Sequence, residues 1–78
     1  METAPYTAAL AAEVRASMGR AGLRQADLAK TAGLSRPSLS RKLAGRQTFT
    51  AEELLRVADV LGVKASDLMA QAEAVLAA

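Results

Sequence analysis

The chain is predicted to fold as a compact all-α domain of five short helices, and three features of its 78 residues carry that expectation. Alanine fills 19 positions while isoleucine is absent and valine occurs only five times. Alanine is the best helix former and β-branched residues favour strands, so the composition leans helical. Apolar residues also recur at spacings of three and four, and glycine or capping residues stand where each stripe begins or ends. Seventy-eight residues set the expectation of a single domain spanning 1–78. Such a chain buries only about 60% of its unfolded surface. With no cysteine available for a disulfide framework, its core must be thin.

The first helix is expected from Tyr6 or Thr7 to Ala21, with Leu10, Val14 and Met18 on one face and Gly22 ending it. The second runs from Gln25 to Ala32, with Leu28, Ala29 and Ala32 inward. Gly33 then supplies a sharp left-handed turn at little steric cost, and Leu34 plugs that turn. Ser35 is the N-cap of the third helix, Arg36 to Ala44, with Pro37 in the first turn where a missing N–H costs no bond. Leu39 and Leu43 face the core, and Gly45 closes the helix. After a loop, 46–49, Thr50 and Glu53 have capping-box spacing. The helix they open buries Leu54, Val57, Ala58 and Leu61 and stops at Gly62. Ser66 is expected to cap a fifth helix from Asp67 to about Leu76.

The net charge of +2 conceals a strong asymmetry. Residues 20–46 carry seven basic side chains (Arg20, Arg24, Lys30, Arg36, Arg41, Lys42, Arg46) against Asp27, a net of +6, and the remainder carries −4. From charge alone the block reads either as an unevenly charged solvated surface or as the footprint of a polyanion. The absence of histidine and cysteine removes imidazole and thiolate zinc sites, Cys–His dyads and Ser–His–Asp triads together. No Gly-rich phosphate loop or pair of carboxylates around a pocket is present, so neither an enzyme nor a cofactor is expected. The longest uncharged stretch is ten residues, 3–12, too short to span a membrane. Glu2 argues against a secretory leader, and lack of cysteine is compatible with the cytoplasm.

Two short helices joined at a steep angle by a Gly-containing turn make a helix-turn-helix. Such a second helix must protrude enough to enter a groove about 12 Å wide while its back stays anchored. Leu39 and Leu43 are the anchors, leaving Arg36, Pro37, Ser38, Ser40 and Arg41 outside or at the edges. The residues Gln25-Ala-Asp-Leu-Ala29, Gly33-Leu-Ser35, Leu39, Leu43 and Gly45 resemble the Cro/C1-type, phage-repressor or XRE-like, helix-turn-helix family. The stretch from Glu53 to Val63, with Leu68, is similar to that family's fourth helix and the start of its fifth. The resemblance covers Leu10 to Leu68 and implies a five-helix, lambda-repressor-like domain that binds double-stranded DNA.

It also implies roles. Gln25 would bond a phosphate and brace the recognition helix, whose base-facing positions are Arg36, Pro37 and Arg41. Ser38 would touch a base edge or a phosphate; Ser35, Arg46, Gln47 and Thr48 fit phosphate contacts. Lys42 is open between phosphate and solvent, and Arg20 and Lys30 read as solvated. Phe49 reads as core, since one Phe and one Tyr make no platform for single-stranded bases. Two departures stand out. Arg24 replaces the Thr or Ser usual before that Gln; it cannot cap and opposes the helix dipole unless a phosphate lies nearby. Pro37 has no side-chain donor and offers only apolar contact, such as to a thymine methyl. Residues 1–5 hold no Lys or Arg, so no basic arm is expected.

One recognition helix reads few base pairs, which favours two-fold dimers on half-sites about 34–36 Å apart. Leu68, Met69, Ala72, Val75 and Leu76 cover more than one face of the fifth helix and form a candidate dimer seam. Alternatively that helix merely covers the core, or the chain is the N-terminal part of a longer repressor. The expected function is sequence-specific transcriptional regulation, with repression by promoter occlusion. The alternative is a protein-interaction module of the same fold, an antitoxin or assembly factor.

Overall fold

Glycines and hydroxyl side chains break the chain into its elements much as their chemistry dictates. The computed structural model describes residues 4–78, and within them lie α1 (Ala4–Ala21), α2 (Gln25–Ala32), α3 (Arg36–Leu43), α4 (Ala51–Leu61) and α5 (Ala65–Ala77). Met1, Glu2 and Thr3 are outside the described residues. The expectations of no leader and no basic arm rest partly on them.

The starts of α3 and α4 follow their capping chemistry. The Ser35 side chain accepts from the Ser38 N–H, and Pro37 sits harmlessly in the first turn of α3. At α4 both halves of the capping box form, with Thr50 Oγ1 accepting from the Glu53 N–H and the Glu53 carboxylate accepting from the Thr50 N–H. Gly33 has φ +73 and lets the Leu34 N–H return to the Ala29 carbonyl at 2.8 Å. Gly45, with φ +76, adopts the left-handed backbone that favours glycine, and packs beside Ala8 on α1.

Three boundaries differ from expectation. α1 already includes Ala4 and Pro5, the first of the described residues, since Pro is tolerated in a first helical turn. α3 ends at Leu43, with Ala44 as its C-cap. α5 starts at Ala65 with Lys64 in the N-cap position, so Ser66 lies inside the helix and caps nothing. Ala65 is half-buried against the core, and the helix begins two residues earlier than its hydroxyl would set it.

All five helices contribute to one apolar cluster, with Leu28, Leu39, Val14 and Val57 as its most completely buried large side chains. Phe49 is buried as core, as expected, while Leu34 is only partly buried. Truncating Leu39 to Ala would cost about 2–5 kcal/mol, a large part of the roughly 4–12 kcal/mol that holds a chain of this length. α2 and α3 are pinned from behind by that cluster.

Two arginines from neighbouring helices close the carbonyl ends of the pair. Arg56 Nε on α4 donates to the Ala32 carbonyl at 2.8 Å, and Arg15 Nη1 on α1 donates to the Leu43 carbonyl. Each places a cation at the negative end of a helix dipole and satisfies a carbonyl the helix leaves open.

Candidate nucleic-acid interface

The third helix owes its exposed face to the spacing of its anchors. Leu39 is fully buried and Leu43 nearly so, which turns Arg36, Pro37, Ser40 and Arg41 to solvent. No acidic residue lies in its first turn, and the exposed neighbours Arg24, Gln25, Ser35, Arg46, Gln47 and Thr48 surround it in sequence. Arg24 occupies the N-cap position of α2 with an extended backbone and no side-chain capping bond, as its chemistry requires.

Several of these side chains are braced before any ligand arrives. Arg41 Nε donates to Gln47 Oε1 at 3.3 Å, tying the recognition helix to the following loop and leaving the Gln47 amide NH2 free to donate. The Thr48 hydroxyl donates to the Phe49 carbonyl at 3.3 Å, a bond it must exchange before donating elsewhere. Arg24, Gln25, Arg36 and Arg46 have no protein partner for their side chains among the described residues.

Lys42 is a correction to the expected set of phosphate contacts. It lies on the inner side of α3, 4% exposed, with Nζ 2.6 Å from Glu53 Oε2 and 3.1 Å from Ser38 Oγ. An ammonium held out of water on the helix shoulder needs a nearby carboxylate to offset its desolvation, and Glu53 supplies it. Ser38 is accordingly half-buried rather than fully outward. The Lys42 hydrogen bond, with the Thr50 N–H next, holds the Glu53 carboxyl below the usual glutamate range.

Pairing also trims the basic block. Arg20 is bound to Glu13 at 2.9 Å and Lys42 to Glu53, so five cations without a carboxylate partner remain in residues 20–46: Arg24, Lys30, Arg36, Arg41 and Arg46. Against Asp27 the outward net is +4 rather than +6. Sequence reasoning missed Arg15 and Arg56, which hold the motif in place, because their partners are carbonyls 28 and 24 residues away.

The seam on α5 divides in two. Leu68 and Ala72, four apart, are buried in the monomer against the other helices and are not free for a partner, whereas Met69, Val75 and Leu76 are exposed. Tyr6 on α1 is also exposed, and Tyr6, Leu10, Met69, Ala72 and Glu73 line a shallow groove between α1 and α5.

A family model described as a helix-turn-helix domain matches residues 9–72. The chain belongs to the helix-turn-helix domain family. Its lambda-repressor-like five-helix architecture is shared by two crystal structures of the clp gene regulator ClgR from Corynebacterium glutamicum. One aligns with a TM-score of 0.87 and 28% identity over 92% of this chain and 77% of that one. The other aligns at 0.83 and 28% over 88% of each. No curated protein sequence matches significantly. Within this helix-turn-helix domain no described helix is long and apolar enough to cross a membrane.

Proposed function

We propose that the chain is a sequence-specific double-stranded DNA-binding transcriptional regulator that inserts α3 into the major groove. The observation that carries this reading is the exposed Arg36–Arg41 face of a helix anchored from behind by Leu39 and Leu43, inside a helix-turn-helix domain. Likeness to a gene regulator supports it. Arg36 and Arg41 read guanine through its N7 and O6 acceptors, the commonest specific contact, so the half-site contains G·C pairs. Pro37 adds apolar contact, and Ser38 lies at the base edge. Arg24, Gln25, Ser35, Arg46, Gln47 and Thr48 hold phosphates and set the register without reading sequence.

The regulator acts in the cytoplasm as a homodimer, through the face of Tyr6, Met69, Val75 and Leu76, and represses by occluding a promoter. It performs no catalysis. The test is affinity for duplex DNA against salt. A dimer that neutralises ~6–10 phosphates loses about 10³–10⁵ in affinity between 50 and 200 mM salt. Absent or salt-insensitive affinity would favour the other reading, a protein-interaction module whose exposed apolar face takes a protein partner.

A further inference from the structure

We propose that Lys42 is a positioning residue, not a DNA contact: it turns the Ser38 hydroxyl into an obligate donor toward DNA and bolts the recognition helix to the cap of α4. The inference rests on the DNA-binding reading above and adds to it a role for a buried ion pair.

The geometry is a continuous relay. Glu53 uses Oε1 to accept from the Thr50 N–H at 2.9 Å and Oε2 to accept from Lys42 Nζ at 2.6 Å. Lys42 Nζ donates again to Ser38 Oγ at 3.1 Å, and the Ser38 N–H donates to Ser35 Oγ at 3.2 Å. Ser38 is thereby held from two sides, by its own N-cap and by a side chain one turn on. An ammonium has donors only, so Ser38 Oγ must accept from it and direct its hydrogen elsewhere. Among the described residues that hydrogen meets no acceptor.

The neighbouring position makes the consequence specific. Pro37 offers no donor of any kind, side chain or backbone. Ser38 supplies one at the same end of the helix, suited to an acceptor on the duplex: a phosphate oxygen, or guanine N7 or O6, adenine N7 or thymine O4. Replacing a buried ion pair by apolar groups often costs no stability. What this pair contributes is orientation.

The test uses the pair-neutral variant Lys42→Met with Glu53→Gln, which leaves net charge unchanged and keeps a side-chain oxygen to cap Thr50. Affinity for the selected site should fall roughly three- to tenfold, the value of one hydrogen bond. Ser38→Ala should fall by a similar factor, and adding it to the paired variant should cost nothing more. Ser38→Thr should bind like the wild type. Unchanged salt slope is expected throughout. A changed base preference would assign the acceptor to a base, and a uniform loss would assign it to a phosphate.

Losses that multiply in the triple variant, or a slope that drops by about one unit, would overturn the proposal. Should the paired variant not fold, reductive methylation of the wild type decides: Lys42 should react far more slowly than the exposed Lys30 and Lys64, with or without DNA. Equal reactivity in the free protein would overturn it independently of any DNA result. Failure of the wild type to bind any duplex would instead remove the functional reading, and the DNA role of Ser38 with it.

Discussion

Arg56 on α4 donates through Nε to the carbonyl of Ala32, the last residue of α2, at 2.8 Å. The bond joins the first helix of the motif to the helix that follows it. Its second contact, to Glu52 at 3.4 Å one turn earlier, is solvent-exposed and adds little. Arg56→Met keeps the aliphatic stem and removes the cap. A loss of about 1 kcal/mol in urea unfolding is expected, while Glu52→Gln should change stability by less than about 0.5 kcal/mol. Equal losses would show the ion pair, not the carbonyl, to be the stabilising contact.

Glu53 makes stability depend on acid in a defined direction. Its folded pKa is depressed by Lys42 and the Thr50 N–H, so its contribution is complete above the unfolded value of about 4.3 and is lost as pH falls through the lower folded value. Melting temperatures of wild type and Glu53→Gln should therefore differ most at neutral pH, where the variant leaves Lys42 buried without a counter-charge. The two curves should converge as the pH falls below about 4. Parallel curves from pH 7 to pH 3 would remove Glu53 from the account.

Arg36 and Arg46 separate reading from gripping. Arg36→Ala should cost about 1–3 kcal/mol on the preferred site and relax selectivity at one base pair. Arg46→Ala should weaken all sequences alike and reduce the salt slope by about one unit per protomer. Binding-site selection followed by titration at several salt concentrations measures both. A changed base preference for the Arg46 variant would reverse the assignment.

The exposed part of the α5 face makes a further prediction. Met69→Gln with Val75→Ser alters two exposed side chains and no charge, so melting should barely move at dilutions where the wild type is itself monomeric. Sedimentation should shift toward monomer, and affinity for paired half-sites should drop while that for one half-site holds. An unchanged sedimentation coefficient would place the dimer contact elsewhere.

Much of the fold was legible in the sequence, since local chemistry sets its boundaries. Ser35, Thr50 with Glu53, and Gly33 act within three or four residues of their own positions, and each behaves as its spacing implies. The anchors Leu39 and Leu43 were equally plain, because i and i+4 share a face. The failures are non-local. Lys42 stands beside Leu43 on the helix shoulder, and periodicity alone leaves such a position free to turn in or out. Its partner Glu53 arrives from the next helix and settles it. Ser66 had the right chemistry for a cap, but α5 starts earlier, at Ala65, which is half-buried against the core. Leu68 and Ala72 could not be told from Met69 and Val75 until the face packed against α1 was known.

The central claim is that the outer face of α3 lies in the major groove over guanine. Guanine N7 projects into that groove, so premethylation of N7 tests the claim most directly. Methylated guanines within each half-site should be depleted from the bound fraction, and Arg36→Ala or Arg41→Ala should erase the depletion at one guanine each. Bound DNA carrying N7-methylguanine as often as free DNA, with specific binding intact, would contradict it.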